Sequence, residues 1–213
     1  MTVEAWLREA FADPLLALRL DPSWGAAHAD GRRRLREAMA ETAAKRHPDL
    51  RREAEALREP SRLPVHPLLG FSVSHSASLG GFVCSSALDV GFDVEASARV
   101  SVAACERIAF DGREAAEAPS PAAYWTAKEA AFKALARTGL QPKTIAAVRV
   151  SGWRPARGPD ASPDAFLDAF QCEAHAQGLE AALRGTTWRL GENEYCFFSI
   201  PLNQRPGRPI RAS

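Results

Sequence analysis

The chain lacks the usual glycine-rich phosphate loops. Neither G-x-x-x-x-G-K-[ST] nor G-x-G-x-x-G occurs, so ordinary nucleotide-binding loops are absent. No apolar run reaches the length needed to span a bilayer. The four cysteines (Cys84, Cys105, Cys172 and Cys196) stand far apart, with no CxxC or Cys/His spacing that suggests zinc or redox work. Buried thiols are the expectation for them. Neither sign of charge dominates: 27 basic against 26 acidic residues leave a net charge of +1, so no global field recruits nucleic acid or a membrane surface. The start, Met1-Thr2-Val3-Glu4, carries an acid early and lacks a basic-then-apolar signal pattern, which predicts a cytoplasmic protein.

What is present fits a globular chain. A length of 213 residues suffices for one medium domain or two small halves, and 46% hydrophobic with 25% charged residues argues against disorder. Residues 1–60 are rich in Ala, Leu, Arg and Glu. Trp6, Leu7, Ala10 and Phe11 predict a helix over 2–12, and Asp13-Pro14 interrupts it. Leu15 to Leu20 reads as another turn or two of helix, and Asp21 to Gly25 as a loop. Longer helices are predicted over Asp30–Lys45 and Pro48–Arg58. Their many arginines, including Arg32, Arg33, Arg34 and Arg36, interleave with glutamates as on a solvated face, though one or two could instead face a phosphate.

Near Pro60 the composition changes. Pro60, Pro64 and Pro67 punctuate a loop, and Phe71 to His75 then alternates apolar and polar as a half-buried strand does. Phe82 to Ala87 and Val90 to Glu95 are further strands, separated by a turn at Leu88-Asp89. A helix follows at about 101–109, and the polar Asp111-Gly112-Arg113 leads to a second one. After Gly139, residues 144–150 read as strand, 155–163 as loop, and 166–175 stays ambiguous. Residues 186–190 and 195–200 predict a closing hairpin, and the last dozen residues a loose tail. Strands, helices and strands in that order predict an α+β fold with antiparallel sheet.

The chain is organised around Tyr124 to Leu135. Pro119 and Pro121 precede this alanine-rich helix, and Gly139 and Pro142 follow it. Wound at about 100° per residue, it puts Tyr124, Trp125, Ala131, Phe132, Leu135 and Ala136 on one apolar face. Lys128 falls in the middle of that face and Glu129 on its edge, with Lys133 one turn beyond Glu129. A lysine in an apolar stripe is costly unless its ammonium meets an anion. Alternatively Lys128 snorkels to the rim, and Glu129 and Lys133 form a helical pair.

Val90 to Glu95 supplies a second cluster. Period two puts Val90, Phe92 and Val94 on one face and Asp93 and Glu95 on the other. Cα atoms two apart on a strand lie roughly 6.5–7 Å from each other, so both carboxylates can reach one ion. Side by side they repel unless a cation or proton separates them, and magnesium takes one or two carboxylates with phosphate and water. The plainer reading is an edge strand showing charge to solvent. Ser74-His75-Ser76, at a strand end, could hold a phosphate by hydrogen bonds and charge, or be structural.

Together, Phe71-Ser72-Val73-Ser74-His75-Ser76, Val90-Gly91-Phe92-Asp93-Val94-Glu95 and Trp125-Thr126-Ala127-Lys128-Glu129-Ala130-Ala131-Phe132-Lys133 resemble the 4′-phosphopantetheinyl transferases of the longer, surfactin-type class. The likeness covers about residues 65–140. It implies two similar α/β halves related by a pseudo-twofold, here 1–100 and 101–213 behind extra N-terminal helices, with coenzyme A bound between them. It implies transfer of the phosphopantetheine arm of coenzyme A to a serine of an apo acyl or peptidyl carrier protein, releasing adenosine 3′,5′-bisphosphate. On the same likeness Asp93, Glu95 and Glu129 hold magnesium. Lys133 meets the pyrophosphate, Ser74 and His75 contact coenzyme A phosphates, and Lys128 pairs with phosphate or with a carboxylate of the cluster. Glu129 and Lys133 are the expected catalytic residues, with Glu129 or a metal-bound water as the base that takes the serine proton, and a monomer is implied. Two departures stand out: Ser72 replaces the family's usual Asn, and Leu63-Pro64-Val65-His66-Pro67 stands where many members carry Gly-Lys-Pro. An arginine among Arg32 to Arg36 could replace the basic contacts to the 3′-phosphate, but spacing selects none.

Two other classes remain. A catalytically impaired carrier-binding module of the same fold would be expected to have lost an acidic ligand or Lys133, and all are present. A nucleic-acid binder built on residues 30–60 is opposed by the near-neutral charge and the interleaved glutamates.

Overall fold

The computed structural model describes residues 2–59, 68–136, 142–156, 169–179 and 182–201. The proline-punctuated stretches expected as loops at 60–67 and 157–163, Gly139, and the tail from 202 onward lie outside the described residues.

Helix α1 (Val3–Ala10) opens the chain, capped by Thr2, whose hydroxyl accepts from Ala5 N at 3.2 Å. Leu15 to Leu20 is not helical. Ala17–Asp21 is strand β1, because its apolar residues pair with a strand far along the chain rather than with their own next turn. Helices α2 (Gly31–Arg46) and α3 (Arg51–Glu55) follow, α3 being flanked by 3-10 turns at 48–50 and 56–58. Strands β2 (Gly70–His75), β3 (Gly80–Ser85) and β4 (Leu88–Ala96) come next, so Leu88-Asp89 begins a strand instead of forming a turn. Helix α4 (Val102–Ile108) and a 3-10 turn at 114–117 lead to α5 (Pro121–Leu135), which has Ser120 as its cap and proline in its first turn. The C-terminal region is all strand: β5 (Arg149–Pro155), β6 (Ala169–His175), β7 (Leu183–Leu190) and β8 (Asn193–Pro201). Residues 145–147 form a 3-10 turn ahead of β5. The β7–β8 hairpin turns at Gly191-Glu192, where Gly191 has φ +59°, a backbone that favours glycine.

Two antiparallel sheets result. Sheet A has the order β1-β3-β2 and sheet B the order β4-β8-β7-β6-β5, so the fold is α+β as expected. Strand β4, which carries Asp93 and Glu95, pairs along its length with β8 and so belongs with the C-terminal strands.

Three apolar clusters order the layers. Leu35, Met39, Ala40 and Ala43 of α2 cover Phe71, Phe82 and Cys84 on one face of sheet A. Leu16, Leu18 and Val83 on its other face join Val90, Phe92, Val94, Trp188 and Phe197 of sheet B, closed by Trp6 and Leu7 of α1. On the far face of sheet B, α5 lays Ala127, Ala130, Ala131, Ala134 and Leu135 against Val150, Cys172, Leu183, Cys196 and Phe198. Each sheet is thus backed by one helix. The period-two expectation for β4 holds: Val90, Phe92 and Val94 enter the inter-sheet core, while Gly91, Asp93 and Glu95 face α5.

Helix α5 crosses β4 at Gly91. A Cβ there would lie 1.8 Å from the Ala130 carbonyl oxygen and 2.6 Å from Ala134 N. Only a residue without a side chain allows this approach, and Ala130 and Ala134 keep the helix side equally bare. Gly91→Ala must push backbone against backbone. The expected cost is about 3 kcal/mol, a fall in Tm of roughly 6–12 °C, measured by thermal unfolding of the two proteins side by side.

Candidate active site at the seam between the sheets

Edge strands β2 of sheet A and β4 of sheet B run side by side in the same direction but are not partners in either sheet. Side chains of β2 make the join. Ser72 Oγ accepts from Phe92 N at 2.9 Å, and Ser74 Oγ accepts from Val94 N at 3.3 Å. These hydroxyls satisfy edge amides of β4 that have no strand on that side. Ser72, the departure from the family pattern, has this structural task.

Ser74 does more. Its hydroxyl donates to Asp93 Oδ1 at 2.6 Å, and Lys133 Nζ from α5 reaches the same oxygen at 2.6 Å and Phe92 O at 3.3 Å. Asp93 is buried, its side chain 8% exposed, so this ion pair is better shielded from water than a surface pair. Glu129 lies one turn before Lys133 on the same face of α5. Its carboxyl is held above the usual range, first by burial and then by the charges of Asp93 and Glu95, against the opposing pull of Lys133. Asp93, Glu95, Glu129 and Lys133 therefore share one electrostatic neighbourhood.

The other side of the seam adds cations. Arg32, on the first turn of α2, donates from Nε to His75 Nε2 at 3.1 Å. Burial, then Arg32 and Lys133, hold the imidazole below its ordinary pKa, and Asp93 pulls it the other way. The neighbouring arginines are engaged elsewhere: Arg33 with Glu37 and Asp30, Arg34 with the Ser23 carbonyl, and Arg36 with the Glu59 carbonyl. Of the group between Arg32 and Arg36, Arg32 alone is bonded to His75 among the described residues. The tie that brings α2 here is backbone: Ala26 N and Ala27 N bond the carbonyls of Ser76 and Ala77, just beyond β2.

Two expectations meet a different arrangement. Lys128 does not face this seam. It is fully buried, and its ammonium bonds both oxygens of Glu114 at 3.1 Å and the Val148 carbonyl. The anion that its apolar setting demands is Glu114, not the acid cluster or a phosphate, so Lys128 is withdrawn as a coenzyme A contact. Burial nonetheless lowers the pKa of its ammonium, with Glu114 opposing that shift. The helix face also differs. Trp125, Glu129, Phe132, Lys133 and Ala136 are the half-buried stripe, and the remaining positions from 122 to 135 are buried. Trp125 and Phe132, expected on the covered face, are only half-buried. An alanine-rich helix can be enclosed on nearly every side, which hydrophobic patterning does not reveal.

The three acids suit a hard divalent cation by donor chemistry, being oxygen ligands with no thiolate among them. Their present partners are internal. Asp93 holds Lys133 and Ser74, while Glu95 Oε1 accepts from Ala96 N at 2.9 Å and stands 3.9 Å from Arg99. Among the described residues no three His, Cys, Asp or Glu side chains form a metal-ligating group.

Sequence reasoning missed Glu114, which follows the polar Asp111-Gly112-Arg113 link, and Glu194. Glu194, on β8, stands opposite Glu95 of β4 on one side and Arg189 of β7 on the other. Strand register alone reveals the latter. No helix among the described residues is long and apolar enough to cross a membrane. The chain matches no protein-family model and no curated protein.

Ser74→Ala would leave Val94 N and Asp93 Oδ1 each without this partner in a buried place. The expected loss is about 1–2 kcal/mol, or roughly 2–8 °C in Tm, read by thermal unfolding at neutral pH.

Proposed function

We propose that this chain is a 4′-phosphopantetheinyl transferase: it moves the phosphopantetheine arm of coenzyme A to a serine of an apo acyl or peptidyl carrier protein. The observation that carries the reading is the meeting of Ser74 and Asp93 with Lys133, beside Glu129, His75 and Arg32, at a seam between two helix-backed sheets. Those residues come from three separated stretches that resemble one family, and each suits one part of the chemistry.

The reaction forms a bond between the carrier serine oxygen and the β-phosphorus of coenzyme A, and breaks the pyrophosphate P–O bond to release adenosine 3′,5′-bisphosphate. Asp93, Glu95 and Glu129 would hold a magnesium ion, which supplies charge neutralisation at the pyrophosphate. Lys133 stabilises the leaving phosphate oxygen, or protonates it, because its ammonium is the cation nearest the acids. Glu129, one turn before Lys133 on the same face of α5, suits the proton acceptor for the serine hydroxyl, a water at the ion being the other candidate. Ser74, His75 and Arg32 are the phosphate contacts, Arg32 supplying a fork of donors.

The same geometry supports a second reading, a carrier-binding module of impaired catalysis, since Asp93 and Glu95 are engaged by internal partners. One assay separates the two. The chain is mixed with coenzyme A, magnesium and an apo carrier domain, and the carrier is weighed by mass spectrometry. A carrier that gains the arm, and does not in EDTA, supports the transferase; complex formation without mass gain supports the module. Glu129→Gln is expected to lower turnover about 10²–10⁴-fold, and Lys133→Ala about 10²–10³-fold. Near-normal turnover of either variant removes that residue from the chemistry.

His75 sets a pH dependence. Free, it is neutral at pH 7, its pKa lying below the ordinary value. A bound phosphate favours the imidazolium, so binding takes up a proton. Affinity for coenzyme A then rises as pH falls through the bound-state pKa and levels off below the free-state one. Calorimetry in buffers of different ionisation enthalpy measures the uptake, and His75→Ala is expected to lose that part of it.

A further inference from the structure

We infer that Glu114 is a positioning residue for the transfer reaction, acting by holding α5 at the one rotation that presents Glu129 and Lys133 to the seam; the kinetic part of this rests on the reading above. Two observations carry it. First, between its large buried residues Tyr124 and Leu135, near its two ends, α5 packs mostly through small side chains: Ala127, Ala130, Ala131 and Ala134 are buried, as are Ala122 and Ala123. Smooth alanine faces offer few ridges to lock into grooves, so shape alone resists sliding and rotation poorly.

Second, a single buried carboxylate bolts that helix to its surroundings. Glu114 takes Lys128 Nζ on both oxygens at 3.1 Å and the Tyr124 hydroxyl at 2.8 Å, both from α5. It also accepts from Phe110 N at 2.5 Å and from Val150 N at the start of β5. Lys128 in turn donates to the Val148 carbonyl. The helix, the edge strand β5 and the segment before α5 are therefore joined at one point. That segment is also the connection between β4, with Asp93 and Glu95, and α5, with Glu129 and Lys133. Lys128 immediately precedes Glu129, so holding one side chain fixes the direction of the next, about 100° around the helix.

Positional error at a reacting centre is costly: a misplacement of about 1 Å lowers rate by roughly 100-fold. A buried ion pair can often be replaced by apolar residues of similar size without loss of stability. Here Glu114 also serves the Tyr124 hydroxyl and two backbone amides, so rate is separated from stability by measuring kcat at a temperature where every variant is folded. Glu114→Gln breaks the pair, whereas Glu114→Leu with Lys128→Met removes both charges and fills the space.

The test compares wild type with both variants on the full chain. The expected result for the double variant is a Tm lower by roughly 6–24 °C, since the Tyr124 hydroxyl, Phe110 N and Val150 N lose their acceptor, with kcat for carrier modification, measured where both proteins are fully folded, lower by about 100-fold, and KM for coenzyme A changed by less than about 3-fold, since Ser74, His75 and Arg32 lie on other elements. Hydrogen exchange on the free protein, without coenzyme A or metal, is expected to show amides of residues 127–134 exchanging at least about tenfold faster. Wild-type kcat and wild-type exchange in the double variant overturn the inference. So does a loss in Glu114→Gln that follows its Tm and vanishes in the double variant. If wild type itself transfers nothing, the proposed activity falls, and hydrogen exchange alone decides whether Glu114 holds the helix.

Discussion

The contact between Gly91 and the backbone of Ala130 sets the rest of the geometry. It is a meeting of strand and helix with no side chain between them. Because the helix sits this low, Lys133, one turn past Ala130, reaches Asp93 and the Phe92 carbonyl with its side chain. A methyl group at position 91 would lift α5 and lengthen those contacts together. The residue with least chemistry of its own thus decides where the ionisable ones meet. Apolar packing sets the height of the helix, and the Glu114–Lys128 pair supplies a directional tie that alanines cannot.

Electrostatics at the seam follow from this placement. Asp93 is surrounded by donors and rests in a satisfied place, whereas Glu129 faces the charges of two other acids with Lys133 as the opposing cation. His75 stands between a guanidinium and an ammonium, both of which disfavour its charging. The neighbourhood is therefore divided, with acids on β4 and α5 and cations from α2 and the end of α5. A dianionic ligand would draw on the cations, and a hard cation on the acids. On the proposed reading, the cations would meet the pyrophosphate and the acids the metal ion.

Much of this was legible from the residues. The alternation in Val90 to Glu95 assigned the faces of β4 correctly, and the spacing of Glu129 and Lys133 put them on one face of α5. The α+β class and the β7–β8 hairpin followed from element order and from Gly191. Lys128 was legible as a problem and not as a solution: a lysine in an apolar helix demands an anion, but nothing local shows that Glu114 supplies it. That glutamate lies in a 3-10 turn, and its other partners come from residues as distant as Val150. Leu15 to Leu20 misled for a related reason. A short apolar run carries no period of its own, and its partner strand β3 lies more than 60 residues away. Arg32 could not be singled out among its neighbours, because the choice depends on where α2 begins relative to the end of β2.

The join between β2 and β4 is made by hydroxyl groups where a sheet would have used its own amides and carbonyls. An amide hydrogen points where its peptide plane dictates, but a serine hydroxyl turns about its Cβ–Oγ bond. The Ser74 hydrogen can therefore be aimed at a carboxylate, here Asp93 Oδ1, while its oxygen keeps the Val94 amide. Asp93 is thus held by a hydroxyl from the edge of one sheet and by the ammonium of the helix behind the other, so one carboxylate ties three elements together at the seam.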